Sequence, residues 1–244
     1  MVNFGRDRRL LLMLLAVLIL SDDSIILMVA GMGRTSGVFK PVACLILISF
    51  SLLACRASEV EIAVSEANLR AVKSGAVEAV EFEARFSNLG SLDTTKRDEM
   101  SRLEALIRDY IAVDDFSIEN SETGFEVVIE GSIPLAPSKQ DAPWYIHVER
   151  GTEPSSFSKL QVKTGRQFEN LKARAQDINF LLAPEAFHPT KFVLRGDAAS
   201  IIAPAVEING EYHLLWRGQA GRKLKLKFAD GIFDHMGAGF FFKF

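Results

Sequence analysis

Val80-Glu81-Phe82-Glu83-Ala84-Arg85-Phe86-Ser87 alternates strictly between apolar and polar side chains. Successive side chains of an extended strand point to opposite faces, so Val80, Phe82, Ala84 and Phe86 share one face and the charged residues the other. Such a segment is a strand with one dry side and one wet side. The same period recurs around it. Glu59 to Val64 alternates acid with apolar residues, and Phe116 to Glu119 and Phe125 to Ile133 flank the polar turn Asn120-Ser121-Glu122-Thr123-Gly124. Trp144 to Glu149 and Lys159 to Lys163 follow. The last third reads as strands at Ile178 to Leu182, Lys191 to Arg195, Ile201 to Ile208, Tyr212 to Trp216, Lys223 to Phe228 and Phe240 to Phe244. Asn209-Gly210 and Ala220-Gly221 supply turns, because both pairs tolerate positive φ.

Helical spacing is rarer. Ser65 is placed to cap a short helix through Lys73, with Gly75 as its stop. Asp93 or Thr94 caps a longer one, in which Met100, Leu103, Leu106, Ile107 and Tyr110 recur on one face. Gln167 to Gln176, with Phe168 and Leu171, reads as a surface helix. Pro134, Pro137 and Pro143 mark an irregular segment, where a two-part arrangement would divide. These elements predict an α+β fold, an antiparallel sheet with one longer and one or two short helices packed on it.

The start of the chain carries a different signal. From Met32 to Cys55, two cations, Arg34 and Lys40, precede an apolar run that ends in Ala54 and Cys55, the three-part pattern of a secretory signal. Leu52-Leu53-Ala54-Cys55 resembles the lipobox of bacterial lipoproteins. That resemblance implies cleavage between Ala54 and Cys55, transfer of a diacylglyceryl group to the Cys55 thiol as a thioether, and N-acylation of the new terminus. Several chains, each contributing ~0.8 kcal/mol per buried methylene, would make the anchoring permanent. Cys44 is a poorer candidate, since Pro41 sits just before it and the apolar run continues past it. The competing reading is an uncleaved membrane helix with Cys55 as an ordinary thiol, but spanning needs ~20 apolar residues and the run is shorter.

Upstream, Arg6, Arg8 and Arg9 precede the apolar run Leu10 to Leu20, which Asp22 and Asp23 interrupt. Two aspartates at a bilayer centre would each cost ~3 kcal/mol, so fusing both runs into one span is unfavourable. The expected division is therefore 1–31 as an over-extended start or extra hydrophobic segment, 32–54 as signal peptide and 55–244 as an exported globular domain. Translation from Met32 or Met28 fits this, and an integral membrane protein with two N-terminal helices is the alternative. Arg56 stands where inner-membrane lipoproteins of enteric bacteria typically have aspartate, so the resemblance implies an outer-membrane anchor facing the periplasm. The mature part is also similar to small lipoproteins of phages and prophages, in the lipidated cysteine, the early alternating strand and a late strand ending Val206-Glu207-Ile208-Asn209-Gly210. That likeness implies no activity.

Removing the leader leaves 23 Lys and Arg against 28 Asp and Glu, which argues against a nucleic-acid partner held by counterion release. Cys44 and Cys55 are the two cysteines; one leaves with the leader and the other carries lipid, so the exported part folds without a disulfide. Sequence spacing for catalysis is sparse: there is no Gly-x-Ser-x-Gly elbow, Walker loop, dinucleotide fingerprint or His-Glu-x-x-His. His147, His188, His213 and His235 are scattered, and no metal or cofactor is expected. Asp234-His235 is the one adjacent acid and imidazole, and a tethered hydrolase would use that pair first.

Three further motifs have plain structural readings. Arg195-Gly196-Asp197 matches an adhesion tripeptide but reads as a turn. Lys223, Lys225 and Lys227 share a face, as on a protected edge strand or a patch facing anionic headgroups. Phe240-Phe241-Phe242-Lys243-Phe244 resembles the terminal aromatic of outer-membrane barrel proteins, but without their run of long alternating strands it reads as a buried final strand. The expectation is a non-catalytic binding or structural lipoprotein, with the membrane and an envelope protein as partners.

Overall fold

The computed structural model describes residues 57–121, 123–151, 156–196, 199–229 and 238–244. Among the described residues eleven strands and three α-helices follow one another as β1 (Glu59–Ser65), α1 (Glu66–Ser74), β2 (Glu78–Leu89), α2 (Thr94–Arg108), β3 (Ala112–Asn120), β4 (Gly124–Ala136), β5 (Trp144–Glu149) and β6 (Ser158–Thr164). Then come α3 (Phe168–Ile178), a 3-10 turn (Phe180–Leu182), β7 (Thr190–Arg195), β8 (Ser200–Ile208), β9 (Glu211–Gln219), β10 (Leu224–Phe228) and β11 (Gly239–Lys243). The described residues belong to one compact unit. The leader, with Ala54 and Cys55, lies outside the described residues.

Nine strands close into a barrel in the order β10-β7-β1-β2-β4-β5-β6-β11-β8, with β8 returning to β10 through the pair Glu207 and Lys227. β3 hangs on β4 and β9 on β8, outside the ring. This corrects the α+β expectation of an antiparallel sheet carrying helices. The alternation of apolar and polar residues is the same in an open sheet and in a barrel, so the sequence pattern could not distinguish them. Closure also needs two parallel pairings, β1 with β7 and β4 with β5, between strands that hairpin logic does not join.

Register carries one apolar face around the ring. Leu226 opposes Phe192, Phe192 opposes Ile62, Ile62 opposes Phe82, and Phe82 opposes Gly131. Further round, Leu135 opposes Ile146, Ile146 opposes Val162, Leu160 opposes Phe240, and Phe242 opposes Ile201. The opposite face carries charge: Lys191 pairs with Glu61 and Glu59, Lys227 reaches Glu59 at 3.4 Å, and Arg85 reaches Glu126 at 3.1 Å. Apolar inside and charged outside is the reverse of a lipid-facing barrel. No helix among the described residues is long and apolar enough to cross a membrane.

Phe192, Phe240 and Phe242 fill the barrel on the β7, β10 and β11 side. Their rings stand edge to face, with centroids 5.4 Å apart for Phe192 and Phe240 and 6.4 Å for Phe240 and Phe242. α1 adds Leu69 and Val72 to the same cluster. It starts where β1 ends, with Ser65 and Asn68 forming a reciprocal cap and Gly75, at φ 113°, terminating it. Ser158, fully buried beside this core, leaves its hydroxyl without a hydrogen bond among the described residues.

Two irregularities shape the ring. At Gly131 an added Cβ would lie 2.2 Å from the Ala112 carbonyl oxygen, so only glycine lets β3 begin that close to β4. Ala205 adopts φ 47°, between the part of β8 that pairs with β11 and the part that meets β10. A non-glycine residue there costs about 1–2 kcal/mol, and the bend it makes lets one strand serve both neighbours.

The other elements mostly fall where period and turn residues put them. Ile178 to Leu182 differs: it is the end of α3 followed by the 3-10 turn, with Asn179 Oδ1 accepting from Leu181 N at 3.0 Å. Lys223 to Phe228 is not an edge, since β10 sits between β7 and β8.

Candidate functional site

α2 and α3 pack on each other across the end of the barrel where β1 begins. Leu106, Leu171 and Ala175 form their buried seam, joined by Leu103, Tyr110 and Trp144. Polar contacts fasten the pair. Asn179 Nδ2 donates to Glu99 Oε1 at 3.1 Å, and Arg174, over the Tyr110 ring, reaches Asp109 at 3.4 Å. Asp93 caps α2 by accepting from Lys96 N at 2.9 Å, fixing where this roof starts.

Beneath the roof the barrel is not filled. A cavity of about 140 Å3 lies between inner-face residues of β1, β2 and β4 and the helices. Its floor includes Val60, Phe82, Ala84, Phe86, Val127 and Ile129; its roof includes Met100, Leu103, Ile107, Leu171 and Ala175. The segment 181–188 closes one side with Leu181, Leu182, Pro184 and Ala186, held by Trp144 Nε1 donating to the Ala186 carbonyl at 3.2 Å. Leu181 and Phe187 of that segment, with Phe180 just before it, remain exposed apolar side chains.

Among the described residues no Lys, Arg, Asp or Glu lines the cavity; its polar groups are Asn88, His188 and Thr190, with the indole of Trp144. His188 Nδ1 accepts from Ala57 N at 3.1 Å, so the neutral ring carries its proton on Nε2. Thr190 Oγ1 donates to the His188 carbonyl at 2.8 Å. The imidazole is edge-on to Phe86 at 6.0 Å and tilted against Trp144 at 6.1 Å. A few fixed polar groups at an apolar hollow suit binding of a neutral molecule.

The residues singled out in the sequence fall elsewhere or beyond view. Ala54, Cys55, Asp234 and His235 lie outside the described residues. His147 is on the outward face of β5, beside Tyr145 at 6.0 Å, and His213 is on β9, so the structure does not bring them to His188. Burial, then Lys163, holds the His147 imidazole below its ordinary pKa, and burial raises that of Tyr145. Among the described residues no three His, Cys, Asp or Glu are placed to hold a metal. Lys225 and Lys227 face outward between Leu224, Leu226 and Phe228, which enter the barrel. Gly196, at φ 134°, turns the chain after β7, while Asp197 is outside the described residues.

His188, Asn88 and Thr190 carry no local sequence signal, because nothing near them in the chain indicates a shared hollow. Phe82, Ala84 and Phe86 were legible as one apolar face, but not as a face left partly uncovered. The chain matches no protein-family model and no curated protein.

Proposed function

We propose that the chain is a lipid-anchored protein of the bacterial envelope, tethered through Cys55, that binds an apolar small molecule at the mouth of its barrel without catalysing a reaction on it. The carrying observation is the uncharged hollow of about 140 Å3 beneath α2 and α3, in a barrel whose other side is packed with phenylalanine. An apolar cavity of ~150 Å3 takes a molecule the size of benzene. At ~0.8 kcal/mol per methylene, a six-carbon chain gains about 5 kcal/mol, a dissociation constant a little under 1 mM. The Leu52-Leu53-Ala54-Cys55 sequence supports the anchor, and Arg56 supports a place on the outer membrane facing the periplasm.

Trp144 provides the test, since it lines the cavity and Trp216 is the other tryptophan in the chain. In a Trp216→Phe background in nanodiscs, 1-bromohexane is expected to quench Trp144 saturably, with saturation lost in Ala186→Leu. Quenching that rises without saturation and ignores Ala186→Leu would overturn the binding site. Intact mass beside a Cys55→Ser variant checks the anchor: the native protein should lack residues before Cys55 and carry acyl mass.

A further inference from the structure

The described chain begins at the cavity. Ala57 is 1% exposed and donates its N–H to His188 Nδ1 at 3.1 Å, and Ser58 donates to the Arg85 carbonyl through both its N–H, at 2.7 Å, and its hydroxyl, at 2.9 Å. Val60, two residues on, is itself part of the lining and sits opposite Thr190. The path from 57 into β1 is thus fixed against the mouth. Adjacent Cα atoms are ~3.8 Å apart, so the Cα of Cys55 is within about 8 Å of that of Ala57.

We infer that the resident occupant of the cavity is the end of one acyl chain carried by Cys55, so that the protein shelters part of its own anchor. This rests on the lipid anchor and the apolar site proposed above, and it names the ligand of that site. Three observations carry it. The hollow is uncharged and of a size for the last few carbons of one chain, not for several chains. The attachment point is two residues from a backbone amide held by a lining side chain. Finally, cavity and bilayer offer each methylene about the same gain, so a short tether that holds the chain at millimolar effective concentration beside the mouth lets the cavity keep it for a substantial share of the time. The membrane attachment survives, because stable anchoring takes two chains and a triacylated cysteine keeps two when one is withdrawn.

Cells expressing the full chain are fed a fatty acid carrying a diazirine near its methyl end, and the processed protein is irradiated in nanodiscs. The expected product is an internal crosslink from the Cys55 lipid to the peptides of α2, α3 or β2, identified by mass with no phospholipid added. Inserting ten Gly and Ser residues between Cys55 and Ala57 leaves the barrel core untouched and should reduce that crosslink several-fold; Ala186→Leu should do the same. Crosslinks to phospholipid alone, with bromohexane still quenching Trp144 saturably, would overturn the inference while the apolar site stands. An unacylated Cys55 in the mass spectrum would remove the inference and the anchor together.

Discussion

On the β7, β10 and β11 side of the barrel, Phe192, Phe240 and Phe242 are fully buried in edge-to-face contact; at the mouth, Phe82 and Phe86 of the same inner face are only half-buried around a hollow. Both regions come from the same alternating pattern, so composition does not separate them. What differs is the covering layer. Strands facing strands across the ring interdigitate, whereas α2 and α3 pack on each other and touch the floor through Met100, which clusters with Phe125, Val127 and Ile129, leaving Phe82 and Phe86 only partly covered. The packed side is where side chains meet, and the cavity is where they do not.

The comparison can be broken most forcefully at Phe240. Phe240→Ala is expected to lose about 3–5 kcal/mol, seen as a large drop in the urea midpoint, because the cavity it creates has rigid walls. A loss under 1 kcal/mol would mean the phenylalanine side is not the tight one. Filling the mouth should act the other way: Ala186→Leu is expected to raise stability by about 0.5–2 kcal/mol while abolishing saturable quenching of Trp144. Ser158→Ala sharpens the picture of the packed side, since it removes a buried hydroxyl that has no partner. A gain of up to about 1 kcal/mol in the same denaturation experiment is expected.

The smallest effect concerns pH. His147 is held below the ordinary imidazole value, so the unfolded chain binds its proton more readily than the folded one. Stability should therefore fall as pH drops from about 6.5 toward the lower folded-state value, and be unaffected by this residue above that window. In His147→Gln the decline over that window should be shallower in urea titrations at successive pH values. An unchanged slope would place the acid sensitivity elsewhere.

Much of the secondary structure was legible from period and punctuation. Ser65 and Gly75 bracket α1, Asp93 caps α2, and the Glu119 to Phe125 turn joins β3 to β4, because these signals act within a few residues. Closure was not legible, since β1 meets β7 across some 130 residues and no local rule links Val60 to Thr190. Ile178 to Leu182 was misread because a short apolar run fits a strand or a turn equally, and the Asn179 side chain decided it. The Lys223 to Phe228 alternation said which face was wet but not that Glu207 waits beside it. For the site, the apolar floor was visible as a face, while the polar rim at Asn88, His188 and Thr190 exists only once three distant segments converge.

The parallel pairing of β1 with β7 also sets a timetable. A chain synthesised from its amino end presents β1 and β2 early, yet one edge of β1 stays bare until residues 190–195 arrive. The seam between β8 and β10 forms later still, from residues 207 and 227. Contacts this far apart in sequence make for slow folding, and an uncovered strand edge is open to wrong partners meanwhile. The pace at which this protein folds is thus set by how long its first strand must wait, kept from neighbours, for its distant partner β7.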